Sequence, residues 1–235
     1  MPKKNKEISS SNLIKIKPIT EGQKSVFETW KKGQNQFLFG CAGTGKTFIS
    51  LYLAMQDVLS LQTKYDKVIL VRSLIPTREI GFLPGDEEDK AALYQVPYQN
   101  MVKFMFEQPN EQAFNMLYDR LKNQGSLYFL STSFLRGLTF DNSIIIVDEC
   151  QNLNFHELDT ITTRVGQDSK IVFCGDFNQT DLLKQNERNR LHDFLRILME
   201  MQEFNCVEFN IGDIVRSGFV RNYLIQKTKL GMGME

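Results

Sequence analysis

A glycine-rich segment of eight residues stands between a short apolar run and a longer amphipathic run. It reads Gly40-Cys41-Ala42-Gly43-Thr44-Gly45-Lys46-Thr47 and satisfies the pattern GxxxxGK[ST] at every position. The apolar run Gln36 to Phe39 predicts a buried strand before it, and Lys46 to Ser60 has the apolar spacing of a helix. Because glycines let the backbone curl until several N–H groups point inward, the three parts together predict a phosphate-binding loop.

The chemistry of phosphate binding gives the residues of this loop separate roles. The amino terminus of the helix that begins at Lys46 attracts anions. We expect Lys46 to reach the β- and γ-phosphates of a nucleotide, and the Thr47 hydroxyl to bind Mg²⁺. Phe48 and the whole loop from Gly40 join the expected nucleotide contacts. A glycine-rich turn that only links strand to helix is the alternative.

A second acidic motif follows the most apolar run of the chain, Ser143 to Val147. Asp148 and Glu149 come directly after it, where parallel α/β sheets bind their ligands. We expect Asp148 to hold Mg²⁺, directly or through water, and Glu149 to activate the water that attacks the γ-phosphate. The expected ligands are therefore ATP and Mg²⁺. An acidic cap at the start of a helix is the alternative for this pair.

A further apolar run, Lys170 to Cys174, ends in Gly175-Asp176. Gln179 follows three residues later, and we expect it to sense the γ-phosphate. Asp176 is expected to cap or orient the same loop. A turn that merely ends the strand remains open as an alternative.

The order of apolar runs predicts the fold class. Runs typical of buried strands alternate with helical patterns along the whole chain, which predicts an α/β fold with a parallel sheet covered by helices on both faces. A length of 235 residues suits one domain. We expect residues 1–12, rich in Lys and Ser, to form a flexible basic tail, and residues 13–235 to form that domain.

The composition of the chain limits which partners and which cellular compartment we expect. There are 28 basic and 28 acidic residues, so a nucleic acid would need a local basic surface. The four cysteines are widely spaced without a CxxC pair, which argues against zinc and disulfides and favours the reducing cytoplasm. No apolar run is long enough to predict a membrane span.

Six segments resemble, in order and spacing, those of the PhoH-like ATPases: GCAGTGKT, VRSLIPTREIGFLPGD, SFLRGLTF, IIIVDECQN, FCGDFNQTD and DIVRSGFV. The resemblance runs from about Ile19 to Leu224. It implies a RecA-like P-loop NTPase domain similar to one motor lobe of superfamily-1 helicases, in a family named for phosphate-starvation induction. Cys41, Cys150 and Ser73-Leu74 depart from the family pattern, and none of these departures removes a catalytic group.

The resemblance also implies roles outside these motifs. Gln23 is similar to the helicase glutamine that reads the edge of adenine, although from the residues alone it is a polar helix residue. Arg72, Arg78 and Arg136 lie at or after strand ends, where such motors bind a single strand of RNA or DNA. Each of these arginines also fits a surface or structural role.

A single lobe lacks the arginine that a second lobe would bring to the γ-phosphate. The resemblance makes Arg216 the first candidate, from the same chain or from a neighbouring subunit. An arginine from a neighbour requires a closed ring, and the family resemblance suggests a homo-hexamer, in a bacterium or a phage-infected cell. Three functions remain open: an ATP-driven nucleic-acid motor, an ATP-dependent regulatory switch, and a small-molecule kinase, for which no acceptor pocket or lid signature is present.

Overall fold

The computed structural model describes residues 7–73, 87–132, 135, 137–176 and 185–230. Three residues expected at the functional site lie outside the described residues: Arg78, Arg136 and Gln179. All the other expected site residues lie within these ranges.

The centre of the molecule is a parallel sheet of six strands. The strands are β1 (Asn35–Gly40), β2 (Lys67–Arg72), β3 (Leu127–Ser131), β4 (Ser143–Val147), β5 (Lys170–Gly175) and β6 (Phe204–Phe209). Their spatial order is β3-β2-β4-β5-β1-β6, and every neighbouring pair is parallel. All six carboxyl ends therefore meet at one edge of the sheet, and β5 lies between β1 and β4.

Helices cover both faces of this sheet, as the sequence predicts. The helices of the described ranges are α1 (Glu21–Lys31), α2 (Lys46–Val58), α3 (Glu87–Phe106), α4 (Glu111–Asn123), α5 (Phe155–Thr162), α6 (Gln185–Glu200) and α7 (Gly218–Lys229). One apolar core lies between the sheet and helices α1 to α4, and a second core lies between the sheet and helices α5 and α6. The fold is thus an α/β parallel sheet enclosed by two helical layers.

Strand β4 explains why the acidic motif is held firmly. All five of its residues are buried, and successive side chains enter opposite cores. Ile144 and Ile146 pack in the core beneath α2, whereas Ile145 and Val147 pack in the core beneath α5 and α6. The strand is also paired with β2 on one side and β5 on the other, so the residues at its end have fixed positions.

Part of the expected flexible tail of residues 1–12 is ordered in the structure. Residues Ser10–Asn12 form a turn of 3-10 helix, and Ile8 and Leu13 are buried in the core. The N–H of Ser10 donates to the carbonyl oxygen of Leu59 at 3.1 Å. The prediction of flexibility is therefore wrong for residues 8–12, because two apolar residues among many polar ones suffice to anchor the segment.

Two helix boundaries also differ from the sequence expectation. The helix expected to begin at Gln99 begins at Glu87, and Pro97 lies inside it. The expected interruption near Pro109 is present, and the side chain of Asn110 caps the next helix. The last helix begins at Gly218 instead of Asp213.

No helix in the described ranges has the length and apolar character that a bilayer crossing needs.

Candidate nucleotide site

The glycine-rich loop follows β1 directly, and α2 begins at Lys46. Gly40 has a φ of 107°, and a Cβ atom there would come within 2.1 Å of the carbonyl oxygen of Phe209. Any side chain at this position would therefore separate β1 from β6. Gly45, with a φ of 84°, turns the chain into α2 from the left-handed region. The loop expected from the sequence is present, with its glycines where the backbone requires them.

The Lys46 side chain is folded back over this loop. Its Nζ donates to the carbonyl oxygens of Gly40 and Cys41, at 2.8 and 2.7 Å. Burial lowers the pKa of the Lys46 amine, and the nearby Asp176 carboxylate partly opposes that shift. The amine therefore lies inside the loop, at the place where phosphate oxygens would offer it stronger acceptors than neutral carbonyls do.

Thr47 and Asp148 meet although they are 101 residues apart. The Thr47 hydroxyl donates to Oδ1 of Asp148 at 2.6 Å. Hydroxyl and carboxylate oxygens are the hard donors that Mg²⁺ prefers, and Mg²⁺ shared with a nucleotide needs only one or two protein ligands. The described residues contain no cluster of three or more potential metal-binding side chains. The donor set at Thr47 and Asp148 therefore fits a nucleotide-bound Mg²⁺.

Glu149 has an unusual backbone for a residue that is not glycine. Its φ of 51° and ψ of 41° place it in the left-handed region. Its Oε2 accepts a hydrogen bond from Nε2 of Gln151 at 2.6 Å. Burial and the neighbouring charge of Asp148 both raise the pKa of the Glu149 carboxyl. A raised pKa strengthens a carboxylate as a proton acceptor, which suits a general base.

Gln151 joins the ends of two strands. While its Nε2 binds Glu149, its Oε1 accepts the backbone N–H of Asp176 at 3.1 Å. A Cβ at position 175 would lie 3.0 Å from that oxygen and 2.7 Å from Sγ of Cys150, so glycine is needed there for this approach. Gln151 is not among the site residues expected from the sequence, although it belongs to the segment IIIVDECQN.

A tyrosine of α3 also enters the site. The Tyr98 hydroxyl donates to Oδ2 of Asp148 at 2.7 Å. Burial raises the pKa of Tyr98 well above its usual value, and the charge of Asp148 adds to the shift, so this hydroxyl keeps its proton. No motif around Tyr98 predicts this contact, because the contact depends on how α3 packs over the sheet.

Gln23 lies beside the loop. Its side chain is buried: Nε2 donates to the carbonyl oxygen of Thr44 at 3.1 Å, and Oε1 accepts the N–H of Ile19 at 2.9 Å. The carboxamide thus ties α1 to the loop and to the segment that precedes α1. Its expected contact with adenine stays a prediction.

Two expected arginines face the same cavity. A Cβ at Gly43 would lie 2.9 Å from Cγ of Arg216, and the N–H of Val215 donates to the carbonyl oxygen of Gly43 at 3.0 Å. Arg72, at the end of β2, lies near Asp148 and Glu149, and these charges raise its pKa even though burial acts against it. The structure therefore brings Arg216 and Arg72 to the nucleotide side of their own chain.

These groups line a cavity of about 850 Å³, a volume that suits a nucleotide-sized ligand. The lining includes the loop residues, the two carboxylates and the arginines. It also includes apolar side chains, among them Ile16, Phe48, Met101 and Phe104. Polar groups for phosphates together with apolar side chains for a base match the chemistry of a nucleotide.

Solved structures similar to this chain include helicases and the large terminase of a bacteriophage. A Pif1 helicase from Bacteroides bound to single-stranded DNA is 18% identical, covers 92% of this chain and 49% of its own, and has a TM-score of 0.40. The large terminase of a thermophilic bacteriophage is 13% identical over 88% of this chain and 50% of its own, with a TM-score of 0.48.

Sequence relatives are more similar. A PhoH-like protein of Synechocystis is 30% identical over 207 residues, which are 88% of this chain and 60% of the relative. Protein PhoH2 of Bacillus subtilis is 35% identical over 61% of this chain and 32% of its own length, and protein PhoH of Escherichia coli is 30% identical over 87% and 56%. This chain thus spans about 60% or less of these relatives. The family model described as PhoH-like protein matches residues 15–226, so the chain belongs to the PhoH-like family.

Proposed function

We propose that this protein is a Mg²⁺-dependent ATPase whose hydrolysis of ATP to ADP and phosphate is coupled to binding RNA or single-stranded DNA. One observation carries the ATPase part: the Thr47 hydroxyl and the Asp148 carboxylate meet at 2.6 Å beside the glycine-rich loop, and Glu149 follows in the chain. This arrangement supplies ligands for a metal, a cradle for phosphates and a base for water in one cavity.

The roles of the protein groups follow from their positions. The loop N–H groups and the Lys46 amine bind the phosphates of ATP, while Thr47 and Asp148 hold Mg²⁺. Mg²⁺, when bound, offsets negative charge on the phosphate oxygens. Glu149 accepts a proton from water as the water oxygen bonds to the γ-phosphorus and the bond to ADP breaks. Gln151 keeps the Glu149 carboxylate oriented from the neighbouring strand end.

The nucleic-acid part of the proposal rests on the family resemblance to helicase motor lobes. Three arginines are expected to bind a strand of RNA or DNA, and of these Arg72 lies within the described residues, where it lines the nucleotide cavity. The surface that would bind the strand therefore stays a prediction. RNA or single-stranded DNA is the proposed partner, and the cytoplasm of a bacterium or of a phage-infected cell is the proposed location.

The proposed assembly is a homo-hexameric ring. The sequence argument for a ring depends on an arginine that comes from a neighbour. Arg216 lies against Gly43 of its own chain, which supports an arginine acting within one subunit. The ring consequently rests on the family resemblance alone.

The test is ATP hydrolysis with and without Mg²⁺, repeated with single-stranded RNA and single-stranded DNA. We expect hydrolysis to require Mg²⁺ and to rise with at least one nucleic acid at about 50 mM salt, with less stimulation at about 200 mM because phosphate contacts weaken. Lys46→Ala should lower turnover at least about 100-fold, since it removes a preorganised cation at the phosphates.

Lys24→Ala is the matched control, because Lys24 is an exposed lysine on α1 that pairs with Glu21. It should hydrolyse ATP as the unaltered protein does. Unchanged turnover in Lys46→Ala would refute the site. Hydrolysis that neither nucleic acid raises would refute the coupling and would favour the regulatory switch.

A further inference from the structure

Within the described part of α3, Tyr98 donates a side-chain hydrogen bond to Asp148, an expected metal ligand. The side chain is 1% exposed, and its hydroxyl lies 2.7 Å from Oδ2 of Asp148. Thr47 donates to the other oxygen, Oδ1, at 2.6 Å. The two oxygens of this carboxylate are thus held from two different helices, α2 and α3.

Neighbouring side chains fix the position of the Tyr98 ring. The Arg72 guanidinium lies beside Tyr98 and 5.6 Å from the ring centre of Tyr94, one helical turn earlier on α3. The Tyr98 ring packs 5.7 Å from that of Phe129 on β3. The hydroxyl therefore donates to Asp148 from a ring that this packing holds in place.

The two partners of Asp148 differ in their relation to the metal. Thr47 is itself an expected ligand of Mg²⁺, because its hydroxyl oxygen can bind the metal through a lone pair while its proton stays on the bond to Oδ1. Tyr98 is no ligand, and its bond to Oδ2 can persist. A partner that orients a ligating carboxylate spares the metal the entropic cost of ordering it, and such partners affect metal affinity strongly.

We infer that Tyr98 is a positioning residue for Mg²⁺, because its hydroxyl holds the Asp148 carboxylate in the orientation that the metal requires. The inference rests on the proposed function, since it assumes that Mg²⁺ binds at Thr47 and Asp148. It adds a residue of α3 to the metal site. Arg72, at the end of β2, lies near the same tyrosine and carboxylate.

The experiment measures how strongly Mg²⁺ tightens the binding of a fluorescent ADP analogue, with and without Tyr98→Phe. Phenylalanine keeps the ring packing and removes only the hydroxyl. We expect the Mg²⁺ concentration at half-saturation to rise about 10-fold, while the analogue binds with unchanged affinity when Mg²⁺ is absent. Tyr98→Met, which also lacks a donor but has another shape, should give the same rise.

Tyr52→Phe is the matched control. Tyr52 is similarly buried, on α2, and its hydroxyl accepts the backbone N–H of Ile16 instead of touching a carboxylate. Its Mg²⁺ requirement should equal that of the unaltered protein. An equal rise in Tyr52→Phe would show that a general loss of stability causes the effect, and would overturn the inference.

A double-mutant cycle with Asp148→Asn tests the proposed route. Once Asp148 no longer binds Mg²⁺ as a carboxylate, Tyr98→Phe should add no further increase in the Mg²⁺ requirement. A full additional increase would overturn the inference, as would an unchanged requirement in the single variant. If Mg²⁺ does not affect nucleotide binding in the unaltered protein, the proposed function itself fails. That result is distinct from the two outcomes that would overturn the inference alone.

Discussion

Glu149 and Gln151 show how single residues shape this site. Glu149 adopts a left-handed backbone that costs free energy in a residue with a Cβ atom, and such strain is concentrated at functional sites. The turn directs its carboxylate to Gln151, which also binds the end of β5. The strain is thus accompanied by contacts that hold the proposed base between two strands.

Lys170 gives a prediction at the same scale, far from the nucleotide site. Its Nζ donates to the carbonyl oxygen of Trp30 at 3.1 Å and lies 4.1 Å from the Trp30 ring centre. Burial lowers the pKa of Lys170 to about 8; Asp57 opposes the shift and Lys64 adds to it. The folded protein therefore releases this proton at a lower pH than the unfolded chain, whose lysine keeps it until about pH 10.4.

Stability must then rise with pH between these two values, because the unfolded chain binds more protons there. Relative to Lys170→Met, the free energy of unfolding of the unaltered protein should increase by roughly 1 to 2 kcal/mol from pH 8 to pH 9.5. Denaturant unfolding of both proteins measures this difference. Tyr65, whose pKa burial raises to about 12, acts in the opposite direction only at higher pH.

The same comparison at pH 6 to 7 is the internal control. Both states keep the Lys170 proton there, so the difference between the two proteins should be constant. A difference that stays constant up to pH 9.5 would contradict the lowered pKa.

Residues that act through local sequence could be predicted, and those that act through packing could not. The loop from Gly40 to Thr47 and the pair Asp148-Glu149 are contiguous motifs at the ends of apolar runs. Tyr98 reaches Asp148 only because α3 packs over the sheet. The predicted start of this helix was wrong, because Pro97 lies inside it. Long-range placement of this kind leaves no local pattern.

At the scale of elements, the carboxyl ends of the strands assemble the site, and α7 adds to it. The chain before α7 contacts the loop directly: the N–H of Val215 binds the carbonyl oxygen of Gly43, and Arg216 lies against the same glycine. Leu224 of α7 is also close to Gly43. Movement of α7 would therefore move an arginine at the phosphate loop.

Arg216→Ala tests whether this arginine acts within its own chain. We expect turnover to fall about 1000-fold with nearly unchanged ATP affinity, because the arginine stabilises charge that develops during cleavage. Mixing Arg216→Ala subunits with Glu149→Gln subunits should not restore ATP hydrolysis, since no subunit then holds both the arginine and the glutamate. ATP hydrolysis of the mixture measures this.

Arg221→Ala is the matched control, because Arg221 lies on α7 and is absent from the lining of the cavity. Its turnover should stay normal. Recovered hydrolysis in the mixture would contradict action within one chain and would favour an arginine supplied by a neighbour.

At the scale of the whole molecule, the alternation of apolar runs was enough to predict a parallel α/β sheet with helices on both faces. The order of the strands was not predicted, because strand order depends on which crossovers pack well together. This order matters for the site: β5 separates β1 from β4, so the buried Asp176 at its end lies between the loop and the two carboxylates.

The central claim is that one cavity of this chain both binds ATP and cleaves it, with Glu149 as the base. Glu149→Gln separates these two steps, because glutamine keeps the size and the hydrogen bond to Gln151 but cannot accept a proton. Binding of ATP and single-turnover hydrolysis should be measured on the same sample. We predict that ATP affinity stays within about threefold while hydrolysis falls at least about 100-fold. Equal loss of both would contradict this account and make Glu149 a structural residue.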